Sequence, residues 1–110
     1  MIQGEIWHAN LNPSKGSEQA GFRPVVIISG NLLNKYLGIV IVCPLTTRVK
    51  DYKGNVVLKP DEINNLRERS EILTFHIRSI SKERLERKIG SINQKEIASI
   101  KATLNDILTY

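Results

Sequence analysis

At 110 residues the chain fits one domain, 1–110, large enough to bury a core without disulfide staples. Its composition, 41% hydrophobic and 25% charged, is that of a soluble globular protein, and no apolar run approaches the roughly 18 residues that a membrane span requires. The net charge of +5 is unevenly placed: residues 1–60 hold seven basic against three acidic side chains, residues 61–110 nine against eight, so a polyanion is drawn toward the N-terminal half. Residues Met1 to Glu5 lack both the basic and the apolar part of a signal peptide, which makes the cytoplasm the expected compartment. The single cysteine, Cys43, excludes an internal disulfide and, with two histidines in the chain, makes a poor start to a zinc site. Lying inside the apolar run Gly38 to Cys43, it is expected to be a buried structural thiol.

The first two-thirds of the chain have strand character. Gly4 to Leu11 alternates, with Trp7, Ala9 and Leu11 on one face and His8 and Asn10 on the other, solvated one; Pro13 ends it. Residues 24–29 and 38–43 are β-branched runs of the kind buried on both faces of a sheet. Asn55 to Lys59 is a shorter strand closed by Pro60. Ser70 to Ile80 predicts one further strand, with Leu73, Phe75 and Ile77 turned to the core and His76 and Arg78 side by side on the outer face. Ser81 can cap a short helix through about Glu86. Asn93 followed by Glu96 has the spacing of a capping box, and Ile97, Ile100, Leu104, Ile107 and Leu108 form an apolar stripe beyond it, for the core or a dimer contact. The fold class is therefore α+β, mainly β: a small antiparallel sheet or partly closed barrel with a short helix and a C-terminal helix.

Two segments can carry chemistry. The connection 12–22 is long for a compact domain, is freed by Gly16 and Gly21, and has a polar interior of Lys15, Ser17, Glu18 and Gln19, as binding loops do. Arg23 follows it directly, and Pro24 pushes Arg23 toward an extended backbone. The second segment is Pro44 to Arg48 at the end of the third strand. An antiparallel pairing of the second and third strands brings Arg23 near Thr46, and a guanidinium fork beside a hydroxyl can cradle a phosphate. An alternative use of Arg23 is an ion pair with Glu18.

The stretch Gly16-Ser17-Glu18-Gln19-Ala20-Gly21-Phe22-Arg23-Pro24-Val25-Val26-Ile27 resembles the signature of the MazF/PemK/Kid toxin family. Gly4 to Trp7 and Leu11 to Pro13 resemble its opening strand, Val42 to Thr46 its third-strand end, Ile77 to Ile80 its later strand, and Lys88 to Ile92 with the final helix its closing part. The resemblance implies an SH3-like barrel of the CcdB type, a homodimer, and sequence-specific cleavage of single-stranded RNA without metal or other cofactor, restrained by a cognate acidic antitoxin. The family's catalytic Arg falls on Arg23, its catalytic Thr on Thr46 and its loop Glu on Glu18. RNA contacts are then expected from Lys15, Ser17, Gln19, Thr47, Arg48, Lys50, His76 and Arg78, with 12–22 and 48–54 as base readers.

This chemistry asks for no protein nucleophile, because the RNA 2′-hydroxyl attacks the adjacent phosphate. Arg23 and Thr46 suit stabilisation of the charge that builds on phosphorus, and no Asp/Glu cluster suggests a two-metal site. An ordinary guanidinium stays protonated, with a pKa above about 12, so Glu18 is chemically the better base, while the resemblance gives the proton-transfer role to Arg23. Many relatives carry Gln where this chain has His76, which either keeps the same contact to RNA or adds an imidazole for acid–base work. Two further functions stay open: a CcdB-like gyrase poison, disfavoured because the chain ends Ile107-Leu108-Thr109-Tyr110 with its one Trp at position 7, and a non-catalytic RNA-binding barrel, disfavoured by few aromatics.

Overall fold

The computed structural model describes residues 1–12 and 21–110. Its strands are β1 (Glu5–Asn10), β2 (Phe22–Ile27), β3 (Ile39–Thr46), β4 (Val57–Leu58), β5 (Ser70–Ile72), β6 (Arg78–Ser81) and β7 (Leu85–Ser91), with helices α1 (Asn31–Tyr36) and α2 (Gln94–Thr109). The strands form one curled antiparallel sheet in the order β4-β5-β3-β2-β1-β7, with β6 also on β3.

The β-branched stretches of β2 and β3 are buried on both faces, at Val25 to Ile27 and along most of Val40 to Leu45, whereas β1 alternates. One core cluster holds Ile6, Val26, Cys43, Leu45, Leu58, Ile72 and Ile92, closed by Ile97 and Ile100 of α2. The other holds Ala9, Leu11, Val25, Ile27, Val40, Val42, Ile80 and Leu85, with Trp7 packed against it. The alternation of β1 thus places Trp7, Ala9 and Leu11 together. Cys43 is fully buried, and burial pushes its thiol up to about 12, which leaves no thiolate for nucleophilic work.

The segment 70–80 is not one strand. β3 is longer than either partner: Leu45 and Thr46 pair with Ile72 and Glu71, whereas Ile39 to Val42 pair with Ser81 to Arg78. The two registers differ by three residues, and a 3-10 turn at Thr74–His76 takes up the difference. This turn reverses the expected faces. Phe75 and Ile77 are exposed, while Thr74 is fully buried and Arg78 lies on the face of Val42 and Ile80. Arg78 is consequently half-buried, not side by side with His76 on an outer face, and its Nη1 is enclosed without a hydrogen-bond partner among the described residues.

After Ser81, whose Oγ accepts from the Glu83 N–H, only a 3-10 turn Lys82–Arg84 forms before β7 begins, so the helix expected there stops short of Glu86. The Asn93–Glu96 capping box of α2 is present in both halves. The stripe of α2 buries Ile97 and Ile100, packs Leu104 against the core, and leaves Ile107 and Leu108 exposed. α1 is a short helix that the sequence pattern does not announce; its Asn34 is buried and accepts from Ser29 Oγ at 2.5 Å.

β7 carries a glycine for a specific reason. A Cβ on Gly90 would lie 2.4 Å from the carbonyl oxygen of Asn64 and 2.5 Å from that of Ile63, both backbone atoms. Asn64 is itself fixed, donating to the Lys59 carbonyl and accepting from the N–H groups of Asp61 and Leu66. Gly90→Ala is therefore expected to destabilise the chain by about 1–3 kcal/mol, the usual range for overpacking, seen as a lower urea midpoint with an unchanged slope.

Candidate nucleic-acid interface and phosphate site

The site lies where β2 begins and β3 ends. Val25 pairs with Pro44 and Val26 with Cys43 in the β2–β3 ladder. The same register carried two residues outward sets Arg23 opposite Thr46. Both line a pocket of about 330 Å³, with Gly21, Phe22, Pro24, Leu45, Thr47 and Ser70 completing its wall. The expectation that antiparallel pairing brings Arg23 near Thr46 is thereby met.

Local bonds hold this end of the sheet open. The Leu11 N–H donates to the Gly21 carbonyl, and the Gly21 N–H donates to Asn12 Oδ1, so the residues just after β1 and just before β2 are tied together. Gly21 has φ +78, a left-handed conformation that suits glycine. Arg84 Nη1 donates to the carbonyls of Asn10 and Asn12 and clamps the same corner. On β3, Thr46 Oγ1 accepts from the Arg48 N–H at 3.1 Å. That bond orients the hydroxyl and leaves its proton to be donated to another acceptor.

A second pocket of about 410 Å³ adjoins the first, sharing Pro24, Thr47 and Ser70, and is lined further by His8, Asn65, Leu66, Arg67, Glu68, Arg87, Lys88 and Ile89. The two together form a groove with Arg23 at one end and Arg67, Arg87 and Lys88 along the other. By charge alone the N-terminal half is the expected side for a polyanion. The fold adds three cations from the C-terminal half: Arg87 and Lys88 because β7 lies beside β1, and Arg67 from the segment before β5. Lys88 is also 3.2 Å from Glu5, whose carboxyl burial alone would raise; bonds from Trp7, the Ile2 N–H and Lys88 outweigh that and hold it below the ordinary value.

Of the other residues singled out in the sequence, Thr47 lines both pockets, and Arg48 and Lys50 are exposed just beyond it. His76 sits in the 3-10 turn with its ring 4.8 Å from that of Phe75, and neither it nor Arg78 lines the groove. Lys15, Ser17, Glu18 and Gln19 lie outside the described residues. His8 differs from expectation: it is half-buried, its Nδ1 is 3.1 Å from Glu86 Oε1, and its ring stacks on Phe22. Sequence reasoning also missed Glu71, a fully buried carboxylate paired across the sheet with Thr46. It accepts the N–H groups of Lys50, Asp51 and Tyr52 and the amide of Asn55, each at 2.9 Å. Burial alone would raise its pKa; the bond from Asn55 and those from the three N–H groups more than offset this, and its carboxyl is held below the ordinary value. Glu71 thereby pins the segment that follows Thr46, Thr47 and Arg48. Among the described residues, no three His, Cys, Asp or Glu side chains gather where they could hold a metal ion, and no helix is long and apolar enough to cross a membrane.

Residues 2–108 match the family described as PemK-like, MazF-like toxin of type II toxin-antitoxin system. The chain is 36% identical over 101 residues to Endoribonuclease MazF of Staphylococcus saprophyticus, covering 91% of this chain and 84% of that protein. Among solved structures, MazF from Deinococcus radiodurans superposes with a TM-score of 0.86 at 27% identity, over 100% of this chain and 97% of that one. A mycobacterial endoribonuclease solved in complex with its cognate antitoxin shares the fold at a TM-score of 0.80 and 20% identity, over 98% and 94% of the two chains. The matched span, the Arg23–Thr46 pocket and the curled sheet agree: the chain belongs to the PemK-like, MazF-like toxin family of type II toxin–antitoxin systems.

Proposed function

We propose that residues 1–110 act as one toxin domain, a sequence-specific endoribonuclease that cuts single-stranded RNA without metal. The observation that carries this reading is the pocket at the sheet end that Arg23 and Thr46 share. The scissile phosphate sits there, with the Arg23 fork on its non-bridging oxygens and the Thr46 hydroxyl donating to one of them. The 2′-oxygen attacks phosphorus, its proton passes to a base, and the 5′-oxygen leaves and takes up a proton. The products are a 2′,3′-cyclic phosphate and a 5′-hydroxyl. Glu18 and Arg23 are the candidates for proton transfer, Glu18 being the stronger base in its ordinary state. Thr47, Arg48 and Lys50, with Lys15, Ser17 and Gln19 of the connection, bind the strand on either side; His76 and Arg78 contact RNA beyond the pocket. The cationic groove gives a polyanion a path. The family match favours this reading over a gyrase poison or a non-catalytic barrel. Incubating the protein with a long unstructured RNA in EDTA is expected to give discrete fragments bearing those ends. Intact RNA after incubation with folded protein would remove the enzyme from the account.

The working form is a cytoplasmic homodimer, restrained by an acidic antitoxin segment that competes with RNA for the groove. Support for a second copy comes from a patch of exposed apolar residues: Tyr36, 69% exposed, with Leu37, Ile39 and Ile77. Tyr36, Leu37 and Ile39 lie together where α1 runs into β3, and exposed apolar residues grouped in this way mark a contact surface. Light scattering should give twice the mass of one chain for the unaltered protein and a monomer for Ile39→Lys. A monomeric unaltered protein would remove the second copy.

A further inference from the structure

Phe22 is 56% exposed, an apolar ring left in water at the mouth of a cationic pocket. Its position follows from register. His8 pairs with Pro24 and Asn10 with Phe22, so Phe22 and His8 are diagonal neighbours on one face of the β1–β2 ladder. Their rings stack with centroids 6.0 Å apart and planes inclined by 17°. Glu86 on the next strand holds His8 Nδ1 at 3.1 Å and so sets the plane of the lower ring. Arg23 and Thr46 point to the other face of the sheet by the same alternation. The pocket is lined by residues of both faces because it lies where the sheet ends.

We infer that the Phe22–His8 stack is a nucleobase platform, which receives one unpaired base flanking the phosphate held by Arg23 and Thr46. A strand that crosses the sheet end with its phosphate on the Arg23 side turns its neighbouring base onto the Phe22 side. The outer face of Phe22 is open to it, and the ring beneath is already oriented, so little ordering is left for binding to supply. An aromatic face accepts any base, which separates this platform from the loop residues that would read sequence. The adjoining groove with Arg67, Arg87 and Lys88 continues from His8 and carries the next phosphates. This inference rests on the proposed RNA-cleaving function, yet it can be tested apart from cleavage.

The probe is a fluorescein-labelled, fully 2′-O-methylated RNA oligonucleotide, which offers no 2′-hydroxyl for attack and reports binding alone. By anisotropy, Phe22→Leu should weaken its binding by about 5- to 150-fold, the range expected for loss of one base–aromatic stack. Phe22→Trp should restore it. Abasic replacement at one nucleotide of the probe should weaken the unaltered protein by the same factor and add nothing to Phe22→Leu, whereas losses at other positions add. Equal binding by the unaltered protein and Phe22→Leu, or abasic losses that add at every position, would overturn the platform. So would a Phe22→Leu protein whose weak binding accompanies loss of the dimer in light scattering, since Phe22 would then belong to the subunit contact. Intact unmodified RNA beside a normal anisotropy series would instead count against the cleavage reading.

Discussion

Arg23→Ala is expected to lower kcat for RNA cleavage by about 100- to 1,000-fold, the usual cost of removing one preorganised donor from a developing oxyanion. Thr46→Val is expected to fall in the same range, because it keeps the volume and β-branching of Thr46 and removes only the hydroxyl. Both effects should appear in kcat more than in KM, since the charge they neutralise grows toward the transition state. Arg23→Lys should recover part of the loss: the charge returns, but not the two-pronged grip on phosphate oxygens. Neither residue belongs to the core clusters, so thermal midpoints should stay close to that of the unaltered protein. A Thr46→Val enzyme of full activity would take the hydroxyl out of the mechanism and leave the phosphate to Arg23 and the connection before it.

The largest expected effect on stability belongs to Glu71. Glu71→Ala removes a fully buried carboxylate that satisfies three backbone N–H groups and the Asn55 amide. A hydrogen bond to a charged group contributes roughly 1.5–3 kcal/mol, and water can recover part of four such bonds once the segment at residues 50–55 loosens. A net loss of about 3 kcal/mol follows, a drop in Tm of more than about 10 °C. Activity should fall with it even where the variant is folded, since Thr46 and Thr47 lead directly into the segment that Glu71 holds. The pH dependence has a definite sign. Glu71 is held below the ordinary carboxylate value when folded, so the stability it adds is complete above that ordinary value and is lost as pH falls through the lower folded one. Glu71→Gln should therefore be less stable than the unaltered protein at pH 7, and should lose less of its stability on acidification below about pH 5. Parallel acid curves for the two proteins would show that Glu71 is not the group responsible.

Much of the fold was legible because it depends on patterns a short stretch can carry. The β-branched runs of β2 and β3, the alternation of β1 and the Asn93–Glu96 box each declare their element through near neighbours. The break in 70–80 was not legible. Its sequence alternates well enough for one strand, and only β3, distant in the chain and long enough to hold two partners in different registers, forces the 3-10 turn at Thr74–His76. β7 declares itself only through its likeness to a family segment, because Glu86, Arg87 and Lys88 look like a solvated run until β1 is placed beside them.

The site divides in the same way. Arg23 and Thr46 were legible because each stands at the end of a strong strand, and antiparallel pairing joins such ends. Glu71 was not, since a carboxylate in a strand ordinarily faces water; its donors come from a segment twenty residues away. His8 reads as solvated in the sequence because Glu86 and Phe22 reach it only through the sheet. The alternation of β1 and β2 would have placed His8 and Phe22 on one face had their register been known.

The measurement that bears most directly on the central claim uses an RNA oligonucleotide containing one mapped cut, in EDTA, with and without a single 2′-deoxy nucleotide on the 5′ side of that cut. Attack by the substrate's own 2′-oxygen predicts cleavage of the all-ribose strand to a cyclic phosphate and a 5′-hydroxyl, and none at the deoxy position. Cleavage of the deoxy strand, or activity of the all-ribose strand only after a divalent metal is restored, would contradict it.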